Sequence, residues 1–158
     1  YTLDPWTGYI GSWSALLQHG DGLRVREDAP YRRLRTVLRH PWAIRTFGWL
    51  HPDWATALAL ASSDTSRHRR AGDEGRGLLS VATEALTAPQ GPTLVVNGHS
   101  HIPTLVAAGR GWYGNAGAWY LDQQFLLLDD SRIVRRQWTG TFDGDDLAVA
   151  EHTNLPAR

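Results

Sequence analysis

Two short stretches carry the side chains best suited to chemistry. The first is Asn97-Gly98-His99-Ser100-His101-Ile102-Pro103, with two imidazoles separated by one residue. In an extended segment residues two apart point to the same side, so His99 and His101 could each offer a ring nitrogen to one metal ion or to two adjacent ones. The second is Gln18-His19-Gly20-Asp21-Gly22, where a third imidazole stands at a glycine-rich turn. The chain has no Cys. A metal here must therefore be held by imidazole with carboxylate or amide oxygen, a donor set suited to manganese or to zinc with N/O ligands. A His-x-His pair is also what two loop histidines bonded to backbone look like, and Gly20-Asp21-Gly22 is also an ordinary tight turn.

Both stretches follow apolar runs that read as strands. Thr93-Leu94-Val95-Val96, preceded by Gly91-Pro92, predicts a buried strand ending just before the histidines. Gly98 is expected to supply the sharp turn, and Pro103 to end regular pairing. Residues 12–18 predict a second strand, entered through a turn over 8–11 and leading to His19. In α/β proteins ligands bind at such strand ends, where loops carry side chains that the strands fix in place. The spacing of Leu78, Leu79, Val81, Ala82, Ala85 and Leu86 predicts a helix over 78–88 that runs into the first of these strands. Further extended segments are expected at 104–107, 112–113, 123–128 and 132–138, with turns at 109–111 and 129–131. Residues 140–158 are polar and read as a loose tail.

Between the two stretches lies a different kind of sequence. Tyr31, Leu34, Val37 and Leu38 fall at helical spacing, with Arg32, Arg33, Arg35 and Arg39 on the other side. His40-Pro41 is expected to break this helix, after which residues 42–50 and 54–61 predict two more, the last with Asp53 as its N-cap. Residues 62–77 read as a polar, flexible return. From Arg24 to Arg70 there are ten Arg against Glu27, Asp28, Asp53 and Asp64, a balance of +6, while the remainder holds six Arg against twelve acids, a balance of −6. An arginine-flanked aromatic block suits an anionic, partly apolar ligand: the charge steers phosphate and the aromatic face accepts hydrocarbon. The same pattern also describes a plain amphipathic helix with a solvated face.

The composition is that of one globular domain: 158 residues, 42% hydrophobic, 20% charged and no net charge. No apolar run approaches the roughly 18 residues needed to span a bilayer, and no N-terminal signal pattern precedes the first strand. Zero net charge and the lack of a recognisable module argue against nucleic acid as a partner. There is no Met, so the chain is expected to be an interior segment of a longer protein.

Taken in order, His19-Gly20-Asp21, Asn97-Gly98-His99-Ser100-His101-Ile102-Pro103 and Gly114-Asn115-Ala116-Gly117-Ala118-Trp119 resemble the C-terminal motifs of calcineurin-like metallophosphoesterases. That family writes them Gly-His, Gly-His-Thr/Ser-His-x-Pro and Asn-x-Gly-Ser/Asp-Trp. The helical block, with His51-Pro52-Asp53, is similar to the lid insertion of the subgroup containing the UDP-2,3-diacylglucosamine hydrolases.

The resemblance implies an α/β fold, the second half of a two-sheet sandwich flanked by helices, with residues 1–158 as the C-terminal part of one metallophosphoesterase domain and the helical lid insertion at 30–77. It implies two divalent metal ions, manganese first, with zinc, iron or magnesium as alternatives. His19 and His99 would ligate one and His101 the other. The reaction implied is hydrolysis of a phosphodiester or phosphoanhydride, on a phosphate-containing small molecule or a nucleotide-linked lipid, in a cytoplasmic protein whose lid touches the inner membrane. Arg32, Arg35 and Asn115 are the substrate-binding candidates; Trp119 is expected to pack beneath the site.

The family's N-terminal motifs Asp-x-His, Gly-Asp-x-x-Asp and Gly-Asn-His-Asp/Glu have no counterpart in the sequence. No catalytic residue is therefore assigned, the missing N-terminal half of the domain is an expected partner, and the chain alone is expected to be inactive. A non-catalytic binding module on the same scaffold, and a mononuclear zinc protein using the three histidines, are the competing readings.

Overall fold

A computed structural model describes residues 5–24, 29–49, 53, 54, 56, 57, 60, 75–141 and 143–154, with backbone alone at 30–32, 35, 47 and 154. The chain divides into two compact units, one made of Tyr1–Gly20 with Gly75–Arg158 and the other of Asp21–Glu74. The fold is mixed α/β with two sheets.

In the first unit, strands β1 (Trp6–Ile10) and β2 (Trp13–Gln18) form an antiparallel hairpin. Its turn has Gly11 at φ 54°, where an added Cβ would lie 2.2 Å from the Asp130 Cα. Only glycine fits so close an approach. Helix α3 (Arg76–Thr87) leads to β3 (Leu94–Asn97), and β4 (Thr104–Ala108) turns back into β5 (Gly111–Asn115). These strands form a five-stranded sheet in the order β1-β2-β3-β5-β4, with β2, β3 and β5 parallel. A short helix α4 (Trp119–Asp122) precedes the antiparallel three-stranded sheet of β6 (Gln124–Leu128), β7 (Arg132–Gln137) and β8 (Asp146–Glu151).

The strands alternate, and each face of the large sheet meets a different layer. Trp13, Ala15 and Leu94 join Leu105 from β4, and Ile133 and Ala150 of the small sheet, in one buried cluster, so the two sheets share a core. On the opposite face Val95 and Tyr113 are buried, and α3 lies against β3 and β5. Leu78, Ala82 and Leu86, four residues apart, form the buried stripe of that helix.

Two sequence expectations need correction. The stretch over 8–11 is not only a turn: residues 6–10 form β1, because the alternation of Trp6, Gly8 and Ile10 against Thr7 and Tyr9 pairs in register with β2. The tail expected to be loose from 140 contains β8, whose Leu147-Ala148-Val149-Ala150 alternation is short but regular. Ala150, 2% exposed, enters the core, and His152 stacks edge-on against Trp13 with ring centroids 5.1 Å apart. Leu127, Leu147 and Val149 of the small sheet are exposed.

The second unit holds α1 (Ala29–Leu38) and α2 (Pro41–Phe47). His40 and Pro41 do not merely break the first helix; they start the second. The His40 ring Nδ1 accepts from the Trp42 N–H at 3.3 Å and Pro41 takes the first turn, where its missing N–H is harmless. The third predicted helix falls on residues described only at 53, 54, 56, 57 and 60, which are helical. The polar return over 62–77 lies outside the described residues up to 74. Leu34, Val37, Leu38, Trp42, Ile44, Trp49, Trp54 and Leu60 of this unit are all exposed. Among the described residues no helix is long and apolar enough to cross a membrane.

Candidate metal centre

The parallel pairing of β2 with β3 brings the two histidine stretches together across the whole insertion. Its register ends at Gln18↔Asn97, so His19 and Gly98 follow side by side. The Gly98 N–H donates to the His19 carbonyl at 3.0 Å, extending the ladder by one bond beyond the strands. Gly20 then turns the chain at φ 101°, where a Cβ would press within 3.4 Å of the His99 Cβ.

The two imidazoles meet. His99 Nδ1 lies 3.3 Å from His19 Nε2, with ring centroids 5.2 Å apart and planes at 79°. Two nitrogens bound to one ion at about 2.1 Å, in tetrahedral or octahedral angles, stand about 3.0–3.4 Å apart, so this separation fits two cis ligands of one metal. An N–H···N hydrogen bond between neutral rings has the same spacing.

The loop between β3 and β4 has an unusual backbone. Gly98 has no left-handed φ; the residues with positive φ are His99 at 65° and His101 at 60°. The Ser100 N–H donates to the Gly98 carbonyl at 2.7 Å around His99. A two-residue step closed by a hydrogen bond around a left-handed residue is the rarer, strained form of the γ-turn. The sharp turn assigned to Gly98 from sequence is thus made by the histidines themselves.

Asn115, at the end of β5, is fully buried and holds this loop. Its Nδ2 donates to the Gly98 carbonyl at 2.7 Å and to Ser100 Oγ at 2.9 Å, while its Oδ1 accepts from the Gly117 N–H at 2.9 Å. Ser100 Oγ also accepts from the Ile102 N–H at 3.4 Å. From the small sheet, Arg135 donates to the Pro103 carbonyl at 3.0 Å. Beside Asn115, the buried Asn97 amide has neither atom hydrogen-bonded to protein. Burial pushes the Tyr113 phenol above its ordinary value, partly offset by the nearby Asn115 side chain. The Tyr113 hydroxyl has no partner in hydrogen-bonding geometry.

His101 is exposed and stands apart from the pair, its ring edge-on to Tyr120 with centroids 6.2 Å apart. Among the described residues no three His, Cys, Asp or Glu side chains gather as a metal-binding group. No family model and no curated protein matches the chain. Trp119, expected beneath the site, is instead 54% exposed at the start of α4 and packs against Trp138 at 5.9 Å. The side chains of Arg32 and Arg35 lie outside the described residues. Sequence reasoning did not single out Ser100 or Tyr120. The position of Ser100 between two histidines was the one available signal for the former; nothing pointed to the latter.

Proposed function

We propose that the chain carries one wall of a divalent-metal centre that hydrolyses a phosphodiester or phosphoanhydride. The observation that carries the reading is the 3.3 Å approach of His19 Nε2 and His99 Nδ1 at the carboxyl ends of adjacent parallel strands, where α/β sheets bind ligands. The resemblance to calcineurin-like metallophosphoesterases, closest to the UDP-2,3-diacylglucosamine hydrolase group, supplies the reaction class. His19 and His99 would hold one ion and His101 the second, with manganese the first candidate. Bound there, the metals would polarise the phosphoryl oxygen and acidify a water nucleophile. The chain's own part is to present imidazole nitrogens from strand ends.

Arg32 and Arg35 on α1 suit the steering of a phosphate. The exposed Trp42, Ile44 and Trp49 in the same basic unit suit a hydrocarbon-bearing substrate or a lipid surface, the basis for placing the protein at the cytoplasmic face of a membrane. The gathering of two imidazoles without a third ligand among the described residues favours a second reading, a binding module that keeps the scaffold without the chemistry.

Calorimetric titration of Mn²⁺ or Zn²⁺ into the wild type, His19→Ala and His99→Ala tests the centre. Each variant is expected to lose at least about tenfold in affinity. Equal binding by all three proteins would remove the metal assignment. Phosphodiesterase turnover of bis-p-nitrophenyl phosphate is expected only where the Asp-x-His, Gly-Asp-x-x-Asp and Gly-Asn-His-Asp/Glu motifs are also supplied, and not from the 158 residues alone; metal binding without turnover in their presence selects the binding-module reading.

A further inference from the structure

We infer that Asn115 and Ser100 are positioning residues that set the left-handed backbone of His99 and His101 and so aim both imidazoles. The inference rests on the metal-centre reading, but begins from backbone strain. A left-handed L-residue is disfavoured because its Cβ crowds the following carbonyl oxygen, and although His tolerates this region better than most residues, two such positions in three persist only where the surroundings over-determine them. His99 and His101 are those two positions, at φ 65° and 60°.

The atoms that over-determine them are few. Around His99, the γ-turn closes onto the Gly98 carbonyl, and the same carbonyl accepts from Asn115 Nδ2 at 2.7 Å. The other Nδ2 bond reaches Ser100 Oγ at 2.9 Å, so one amide grips the residues on both sides of His99. Ser100 Oγ then accepts from the Ile102 N–H at 3.4 Å, spanning His101 in the same way. Each histidine is thus bracketed by atoms that lead back to one amide.

That amide is well anchored. Asn115 is 0% exposed at the end of β5, and its Oδ1 is occupied by the Gly117 N–H. All of its polar atoms are engaged within the protein, which leaves none for a substrate. Its role is therefore to hold ligands, not to bind phosphate. A ligand set already held in its bound conformation binds tighter because less ordering is required at the moment of binding. Outer residues that orient metal ligands commonly change affinity 10–100-fold.

The test uses the full 158-residue chain in wild-type form and as Ser100→Ala, Ser100→Thr and Asn115→Asp. Asn115→Asp keeps the shape and the acceptor for Gly117 but loses both donors. Two readouts are taken: amide hydrogen exchange at Ser100 and Ile102, and Zn²⁺ affinity by titration. Exchange is expected to quicken at least tenfold in Ser100→Ala and Asn115→Asp, with Zn²⁺ binding about 10–100-fold weaker. Ser100→Thr, which keeps the hydroxyl, should restore both.

Unchanged exchange in Ser100→Ala and Asn115→Asp overturns the inference whatever the metal does, and so does faster exchange with undiminished affinity. If the wild type itself binds no Zn²⁺, the metal-centre reading falls instead. The exchange data then decide independently whether the pair sets the loop. Ser100→Ala serves where Asn115→Asp fails to fold.

Discussion

Tyr113 is a buried phenol whose hydroxyl has no hydrogen-bond partner in the protein. Such a group contributes little net stability, because its lost hydration is not repaid by a bond made inside. Tyr113→Phe is expected to leave the unfolding free energy within about 1 kcal/mol of wild type, or slightly higher, in urea titrations at neutral pH. At alkaline pH the two proteins should diverge. Burial raises the Tyr113 pKa above 10.0, so between that value and the folded one the native state holds a proton the unfolded chain has lost. Stability must then fall as pH rises through this window, and the Phe variant should lack that part of the fall. The metal-ligand candidates were legible from residue types alone. The conformations they adopt were not, because sequence assigns a turn to the nearest glycine, Gly98, whereas the fold places the strain on His99 and His101 and supports it through Asn115, which is distant in sequence.

Among the elements, the β6–β7 hairpin makes a clear prediction. The Asp129 side chain accepts from the Ser131 N–H at 3.0 Å and the Arg132 N–H at 2.7 Å and pairs with Arg132 Nε at 3.1 Å. The two backbone donors, with the Arg132 side chain, hold the Asp129 carboxyl below the ordinary carboxylate range. A depressed carboxyl stabilises the fold above its unfolded pKa, and the effect is lost as pH falls through the folded value. Asp129→Ala should therefore speed hydrogen exchange at Ser131 and Arg132 at neutral pH, and Asp129→Asn by less. The difference between Asp129→Ala and wild type should shrink in acid; a pH-independent difference would contradict this account. This turn, the helix over 76–87 and the strands from β3 to β7 were legible because periodicity and turn residues agree there. β1 was not, because Gly8 looks like punctuation until it is paired with Ala15. β8 was hidden because two of its residues are alanine, which gives weak contrast to the alternation.

At the scale of the whole chain, sequence indicated a mixed α/β fold with a distinct basic block. It did not show which strands are neighbours, since the β2–β3 ladder joins residues 15–18 to 94–97 and no local pattern encodes so distant a pairing. Nor did it place the boundary: the second compact unit starts at Asp21, before the predicted lid at 30. The chain leaves the first unit after Gly20, whose Cβ position is 3.4 Å from the His99 Cβ, and re-enters at Gly75, whose Cβ position is 3.7 Å from Ser100 Oγ. Exit and return thus abut consecutive residues of one loop. A linker of about six Gly/Ser residues, with a reach of about 13 Å, could bridge such a gap. Replacing residues 21–74 by that linker should leave the two sheets and α3 folded, read as preserved amide chemical shifts for β2, β3 and β5; their collapse would refute it. Loop-closure entropy changes by only about 0.6 kcal/mol per doubling of length. The histidine pair therefore sits at a point where segments of very different size can be exchanged while the strand ends beneath stay the same.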